Sequence, residues 1–385
     1  MDVKLNHQRI VFIDLARFYA MALVFYGHFI EEMMLLKNPV AAVQYKFIYS
    51  FHMVLFILLS GYVAKERDLE RPVGDFLKQR FFSRLLPFVF FTLLMIIPTF
   101  FFDGKFYGLN LPSGEGYLKG LIDTVFGLPL FCVPSWFLLL VFSVEWVHYC
   151  AFRFLRKSEV SLIGGAILFY LAGYWLNRQF DIFNPLKGRV VGWNYLFIHE
   201  AIIMYAFYLT GVFLRRRQFL IGRVPAWVSL ASAWVALLCV LFTFQLNTGY
   251  FSFEFYDAVV IMLSSHGHAL LFPFTALAGC GLILFLGRLS PPVKTIVWLG
   301  QNTLILMCLN GLFYHYVNPG AAKWLLNHFS GSVLTVTAAG VLMTLASLSA
   351  CIPLVYALTR LFPQLVGKPQ ASGPLLKNLV AKEPL

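Results

Sequence analysis

Residues 9–32 read RIVFIDLARFYAMALVFYGHFIEE, an apolar stretch long enough to cross a membrane as a helix. Comparable stretches of about 20 apolar residues recur along the whole chain of 385 residues. The composition is 59% hydrophobic and only 12% charged, whereas soluble domains contain about 25% charged residues. A soluble globule of this size would expose large apolar patches, and a disordered chain would be far less hydrophobic. The sequence therefore predicts an all-α, polytopic integral membrane protein.

Ten stretches are predicted as membrane spans, at about 9–30, 43–64, 85–102, 135–152, 160–176, 194–214, 225–246, 264–287, 295–314 and 332–358. Most of the 30 Lys and Arg residues fall in segments on the same side as the N-terminus. Because cytoplasmic loops of membrane proteins are enriched in Lys and Arg, both termini are predicted to be cytoplasmic. The net charge of +12 thus reflects topology and contact with membrane lipids, and no nucleic-acid partner is expected.

The chain is expected to form one membrane domain, residues 1–362, followed by a flexible, proline-containing cytoplasmic tail at 363–385. The first span is predicted to stay uncleaved, because it carries charged residues and lacks a small-residue cleavage site. Four loops rich in aromatic residues lie on the predicted outer side, at 103–134, 177–193, 247–263 and 315–331. Their length makes them candidates for binding a molecule outside the membrane.

The ionisable residues of the first span are the most informative feature, because a charge at the bilayer centre costs at least about 2.5–3.5 kcal/mol. Asp14 and Arg17 are three residues apart and can pair on one helical face. His28 follows Arg17 by eleven residues, which places it on the same face about 16 Å further along the axis. Glu31 continues this stripe one turn later. Aligned charges are typical of a pathway through the membrane, and a buried ion pair on a packing helix is the alternative.

The second predicted span adds His52 and Ser60. His52 lies at the depth of His28, so two imidazoles can meet in the outer half of the membrane. One would suit general base catalysis and the other orientation or proton donation. A hydrogen-bonded structural histidine explains His52 equally well. In the fourth span, Glu145 and His148 are three residues apart and form a candidate structural pair.

At these positions the sequence resembles the membrane acyltransferase-3 family. The segment Arg17-FYAMALVFYG-His28 resembles the family's R-x10-H signature, with Asp14 in the place of its usual acidic residue. Three further family segments are resembled, in the same order, by Ser50-FHMVLFILLSGYVAK, Lys78-QRFFSRLLP and Pro134-SWFLLL. A late segment, Leu299-GQNTLILMCLNG, also resembles the family, but Asn310 stands where the family pattern has His. Within the family, the chain looks closest to stand-alone polysaccharide O-acetyltransferases of the fucose 4-O-acetylase type.

The resemblance implies a multi-pass protein of the bacterial inner membrane, an acyltransferase that transfers groups other than aminoacyl groups. Family members take an acyl group, commonly acetyl, from cytoplasmic acyl-CoA and attach it to a sugar hydroxyl of an exopolysaccharide, O-antigen or related glycan. Acetyl-CoA is then the donor substrate, and a glycan or lipid-linked oligosaccharide is the acceptor. Polysaccharide-assembly proteins are further candidate partners, and no metal is expected.

This function gives the charged stripe a chemical role. His28 is the expected general base for the acceptor hydroxyl, which has a high pKa, and Glu31 would support it. His52 is a second candidate catalytic residue. Arg17 would hold the thioester end or a phosphate of the donor within the membrane. The sequence does not distinguish a direct transfer from one through an acyl-histidine.

Basic residues on the predicted cytoplasmic side are expected to bind the donor. Arg80, Arg84 and Lys78 are candidates, because coenzyme A is polyanionic and Arg binds phosphate in a bidentate manner. Marking of topology explains these residues equally well. Asp14 and Ser60 are expected to orient the groups around them.

Trp136, Trp193 and Asn310 are candidate contacts of the acceptor, although tryptophan also anchors proteins at the membrane interface. The alternative function is a proton-coupled secondary transporter or exporter, because intramembrane Arg, His and Glu also serve proton-coupled transport.

Overall fold

The computed structural model describes residues 10–179, 195–218, 224–249 and 257–381. Within these ranges the chain is helical, and an isolated β-bridge between Val260 and Ser265 is its only extended pairing. The α-helices of the described ranges are, in chain order, α1 (Val11–Leu35), α2 (Pro39–Tyr49), α3 (His52–Tyr62), α4 (Val73–Arg80), α5 (Leu86–Ile96), α6 (Glu115–Val125), α7 (Trp136–Leu155), α8 (Glu159–Arg178), α9 (Ile198–Arg216), α10 (Ala226–Thr243), α11 (Leu271–Leu289), α12 (Lys294–Gln301), α13 (Thr303–Leu312), α14 (Asn318–His328) and α15 (Val333–Leu361).

Nine helical segments of the described chain are long and apolar enough to cross a bilayer. Some are single helices, whereas α2 and α3 combine into Pro39–Tyr62, and α4 and α5 combine through a π-helical turn into Val73–Phe100. A tenth span is formed if α12 is counted together with the segment Thr303–His328, which is bent from it by 81°. The predicted all-α, polytopic membrane protein is confirmed.

Several predicted boundaries differ from the structure; the third span begins at Val73 and not near residue 85, and the eighth begins at Leu271 and not near residue 264. Residues 315–331, expected as an outer loop, are helical up to His328, because a π-helical turn leads directly into α14. Pro319 lies in the first turn of α14, and the carbonyl oxygen of His315, four residues earlier, accepts instead from the Lys105 amide at 2.8 Å. The first span extends to Leu35 instead of ending near residue 30, since Glu31 and Glu32 are buried among protein groups that bind them.

The first residues after α15 pack against the helices, in the part of the chain for which the sequence predicts a flexible tail. Gln364 and Val366 are buried, and the Gln364 amide donates a hydrogen bond to the carbonyl of Leu376. The Lys368 ammonium donates to Asn302 Oδ1 at 2.8 Å. Buried side chains and this polar contact give residues 363–368 a defined place beside α5, α15 and the π-helical turn that precedes α5.

Helix α1 lies at the centre of the bundle and packs against α2, α3, α11, α12, α13, α14 and α15. Its approach to α12 is close enough that a Cβ on Gly300 would lie 1.9 Å from the carbonyl oxygen of Asp14. Because α1 is enclosed by other helices, its ionisable side chains face protein groups and not lipid.

Helix α3, which carries His52 and Ser60, is fixed against α9 by two glycines. A Cβ on Gly61 would lie 2.0 Å from the carbonyl oxygen of Tyr208, and a Cβ on Gly211 would lie 2.0 Å from that of Leu58. Small residues of this kind allow membrane helices to approach backbone to backbone. The two glycines therefore set the position of α3 within the bundle.

Gly61→Ala is expected to destabilise the protein by about 1–3 kcal/mol, because a methyl group cannot fit against the rigid carbonyl of Tyr208. Gly164→Ala on α8 is the matched control, since a Cβ there meets no atom within 4 Å. Thermal unfolding in detergent should begin at a lower temperature for Gly61→Ala only. Equal unfolding temperatures of the two variants would contradict the close α3–α9 contact.

Candidate active site

Two cavities lie along α1, one at each end of the polar stripe. The first has a volume of about 1050 Å³, is lined by Arg17 together with residues of α3, α4, α7 and the C-terminal segment, and is called the arginine cavity here. The second has a volume of about 530 Å³, is lined by His28 with residues of α2, α3 and several loops, and is called the histidine cavity. Arg17 and His28 are eleven residues apart on α1, which places their backbone positions about 16 Å apart along the helix axis. The stripe predicted from the sequence is thus divided between two cavities.

A third, narrow cavity of about 250 Å³ continues inward from the arginine cavity. The two share Arg17, Ser60 and Arg84. At its inner end the narrow cavity is lined by apolar side chains, among them Phe56 and Phe137, whose ring centroids lie 5.7 Å apart. This space is called the narrow cavity here.

Only about one helical turn separates the narrow cavity from the histidine cavity. Met53 lines the histidine cavity, and Phe56, three residues later on α3, lines the narrow one. On α7, Trp136 lines the histidine cavity, and the next residue, Phe137, lines the narrow cavity. Three residues rise about 4.5 Å along a helix, so the barrier between the two spaces is one layer of apolar side chains.

The ring of His28 is held in one orientation by α13. Its Nδ1 is hydrogen-bonded to Oδ1 of Asn310, a side chain that is fully buried. Because an amide oxygen only accepts, Nδ1 of His28 carries the proton and Nε2 keeps the lone pair that a general base needs. Asn310, expected as an acceptor contact, thus lies behind His28 and does not line the histidine cavity.

His52 lines the same cavity as His28, as the sequence predicts for two imidazoles at one depth. Its Nδ1 donates a hydrogen bond to the carbonyl oxygen of Ile48 at 2.9 Å, so in the neutral ring Nε2 is the unprotonated nitrogen. The ring of Tyr49 packs edge-on against it, with the centroids 4.7 Å apart. This arrangement suits a histidine that accepts a proton or a hydroxyl hydrogen bond from the cavity.

Glu31 reaches His28 through a tyrosine and not directly. Its carboxylate accepts hydrogen bonds from Tyr49 at 2.9 Å and from Tyr314 at 3.3 Å. The Tyr314 ring in turn packs edge-on against His28 at a centroid distance of 5.0 Å. The next residue, Glu32, pairs with Lys105 at 2.7 Å. The support for His28 expected from Glu31 is therefore given by Asn310 and Tyr314.

Loops predicted to lie on the outer side cover the histidine cavity. Residues 107–108 and 128–133 contribute from the first of these loops and residues 259–263 from the third. Trp136, a candidate acceptor contact, also lines the cavity. Trp193, the other candidate tryptophan, lies outside the described residues.

The arginine cavity is built on buried ion pairs. Arg17 pairs with Asp14 at 3.8 Å, as the spacing predicts. Glu145 accepts a hydrogen bond from Arg84 at 2.8 Å and lies 3.5 Å from Arg80. The predicted pairing of Glu145 with His148 is wrong, because His148 is hydrogen-bonded to the hydroxyl of Tyr205. Two arginines satisfy Glu145 better than a neutral imidazole on its own helix.

Positive charge exceeds negative charge around this cavity. Its lining contains five cationic side chains, those of Arg17, Lys65, Arg80, Arg84 and Lys368, and two carboxylates, those of Asp68 and Glu145. Arg80 pairs with Asp68 at 2.9 Å, and the Ser60 hydroxyl donates to the carbonyl oxygen of Phe56. An excess of cations in a partly enclosed space favours a polyanionic ligand.

Lys78, expected beside Arg80 and Arg84, is exposed and does not line the arginine cavity. Residues two apart on a helix point in different directions, so Lys78 and Arg80 cannot face the same space. Sequence reasoning missed Tyr314 and Lys368, whose places are set by contacts with distant parts of the chain. The sequence does indicate Glu145 as a site residue, because an acidic residue within a membrane span is costly and needs a partner.

Comparison with known families identifies the chain. Residues 10–355 match a family model described as an acyltransferase domain, that of acyltransferase-3. Comparison with curated proteins and with solved structures finds no significant match. The matched range includes Arg17, His28 and Asn310 and ends before the segment that carries Lys368. Since the match extends over nearly the whole chain, the protein belongs to the membrane acyltransferase-3 family.

Proposed function

We propose that this membrane acyltransferase transfers an acetyl group from acetyl-CoA to a hydroxyl group of a glycan. Membership of the acyltransferase-3 family supports acyl transfer itself. The observation that carries the finer proposal is the paired arrangement of a basic cavity and a histidine cavity on one helix, separated by a single apolar layer. Donor and acceptor then enter from opposite ends of α1.

The donor is assigned to the arginine cavity. Coenzyme A carries several phosphate charges, which match the excess of cations there. The cavity volume of about 1050 Å³ is at the upper end of the range for small-ligand sites, about 300–1000 Å³, as a donor of this size requires. Acyl-CoA is a cytoplasmic metabolite, so this end of the bundle faces the cytoplasm in our proposal. The enrichment of Lys and Arg in the same segments supports that orientation.

The acceptor is assigned to the histidine cavity. Its lining is largely apolar and aromatic, with a few polar groups at fixed places, which is typical of sites for small organic ligands. Trp136, Tyr107 and Tyr314 offer aromatic faces to a sugar ring. The loops over the cavity belong to the side predicted to be outside, where an exopolysaccharide, O-antigen or lipid-linked oligosaccharide would be modified. The proposed membrane is the inner membrane of a bacterium.

In a direct transfer, Nε2 of His28 takes the proton of the acceptor hydroxyl as its oxygen attacks the thioester carbonyl carbon. The new C–O bond forms, the C–S bond breaks, and the proton passes from His28 to the departing thiolate. Arg17 lies on the donor side, about 16 Å along α1 from His28, and can offset the negative charge of a donor phosphate there. The apolar layer that the acyl arm must pass includes Met53 and Met307, whose unbranched side chains adapt readily.

His28→Ala should lower the turnover number by about 10²–10⁴-fold, which is the usual contribution of a general base. Turnover is measured as radiolabel transferred from acetyl-CoA to a glycan acceptor by purified protein in detergent. His328→Ala is the control, because His328 is an exposed histidine on α14 and away from both cavities. Normal turnover of a folded His28→Ala protein would exclude His28 as the base.

Asn310→Leu should lower turnover by about 10-fold or more, because His28 loses the acceptor that fixes its Nδ1 proton and the replacement has a similar volume. Asn310→Asp keeps an oxygen at the same position and should retain much more activity. The substrate KM values should change little in both variants, since Asn310 does not line the cavity. Equal turnover of the two variants would show that the hydrogen bond does not orient His28.

Arg84→Ala should raise the KM for acetyl-CoA by about 10-fold or more, because charge-assisted hydrogen bonds contribute about 1.5–3 kcal/mol. The KM for the acceptor should stay constant. Lys78→Ala is the matched control, since it removes a nearby cation that is exposed and outside the cavity. A KM for acetyl-CoA that is the same in Arg84→Ala and Lys78→Ala would limit both residues to marking topology.

A further inference from the structure

Three cations from separate parts of the chain surround the narrow cavity. Arg17 belongs to α1, Arg84 to the π-helical turn before α5, and Lys368 to the C-terminal segment. Among the residues that the structure describes, no Asp or Glu lines this cavity. The carboxylates that pair with Arg17 and Arg84, those of Asp14 and Glu145, lie outside the lining. The described lining of the cavity thus presents three cationic groups in a predominantly apolar surrounding.

The position of Lys368 is set by a folded segment and not by a free chain end. Its backbone amide donates to the carbonyl oxygen of Pro363 at 3.0 Å, and its ammonium donates to Asn302 Oδ1 at 2.8 Å. The preceding Gly367 has φ of +86°, a left-handed conformation that glycine adopts without strain. Further along, the amide of Leu379 donates to the carbonyl oxygen of Pro369 and closes the segment on itself.

Residues 367–372 of this segment form one wall of the arginine cavity, and Gly367 and Lys368 also line the narrow cavity. Lys368 therefore stands with Arg84 where the two cavities meet. Like charges held around one small cavity repel each other, and an anion bound among them removes that repulsion. The arrangement favours an anion with an apolar extension, which would reach inward between Phe56 and Phe137.

We infer that Lys368 binds a phosphate group of the acyl-CoA donor together with Arg84, so that the C-terminal segment is part of the donor site. This inference rests on the proposed function. It extends that function to a segment beyond residue 355, where the family match ends. The phosphates lie between Lys368 and Arg84, and the acyl arm continues into the narrow cavity toward the apolar layer.

The test compares Lys368→Gln with Lys377→Gln in the full-length protein in detergent. Lys377 is an exposed lysine of the same segment that lines neither cavity, and is the matched control. Lys368→Gln should weaken coenzyme A binding, measured by calorimetry, by about tenfold. Lys368→Arg should restore most of it, and Lys377→Gln should bind as the wild type does. The KM for acetyl-pantetheine, which carries no phosphate, should be the same in all four proteins.

Several outcomes would overturn the inference. Equal coenzyme A affinities of Lys368→Gln and Lys377→Gln overturn it while leaving the proposed function intact. If Lys368→Gln impairs the use of acetyl-pantetheine as strongly as it weakens coenzyme A binding, the role of Lys368 is structural. That result overturns the inference as well. If the wild-type protein binds no coenzyme A, the proposed donor itself is wrong. If the loss of coenzyme A affinity in Lys368→Gln appears only in the presence of anionic lipid, the phosphate near Lys368 belongs to a lipid headgroup and not to the donor. The inference is then overturned.

A second measurement needs no variant. Lysine labelling of the wild-type protein, read by mass spectrometry, should show Lys368 protected when coenzyme A is added and Lys377 unchanged. Pantetheine should give no protection, because it lacks the phosphates. Labelling of Lys368 that coenzyme A does not alter would contradict the inference even if Lys368→Gln failed to fold.

Discussion

A helix inside a bilayer cannot leave ionisable side chains facing lipid, and this constraint organises the bundle around α1. Each of the three carboxylates of α1 accepts hydrogen bonds or ion pairs from donors on α1 itself or on other parts of the chain. Asp14 is bound by Arg17 and Gln301, Glu31 by Tyr49 and Tyr314, and Glu32 by Lys105 and Tyr107. The helices that supply these donors are thereby fixed next to α1. The same contacts give the two cavities their walls.

The bend between α12 and α13 serves both ends of α1 at once. Gln301, at the end of α12, donates to Asp14 on the arginine side, and Asn310, on α13, holds His28 on the other side. The 81° change of direction lies between them, at Asn302, which also accepts the hydrogen bond from Lys368. One broken helix thus links the ion pair, the histidine and the C-terminal segment.

The sequence predicts what depends on local spacing. Helical periodicity places Asp14 beside Arg17 and His52 at the depth of His28, and hydropathy indicates the spans. It does not predict the partner of His28, because Asn310 is 282 positions away in the chain. Nor does it predict the apolar layer that divides the stripe, which depends on how α1, α3 and α7 pack together. The sequence is sufficient to predict that Lys78 does not line the cavity, since helical geometry turns it away from Arg80.

The departure from the family pattern at residue 310 has a physical interpretation in this bundle. The position must offer an acceptor to Nδ1–H of His28, and both a neutral histidine and an asparagine can do so. A histidine can also become protonated, after which both of its nitrogens donate and the acceptor is lost. An asparagine amide does not titrate, so its oxygen accepts at every pH at which the protein folds. Asn310 therefore fixes the orientation of the His28 ring, and the Nδ1–H tautomer of its neutral form, through an acceptor that does not itself titrate.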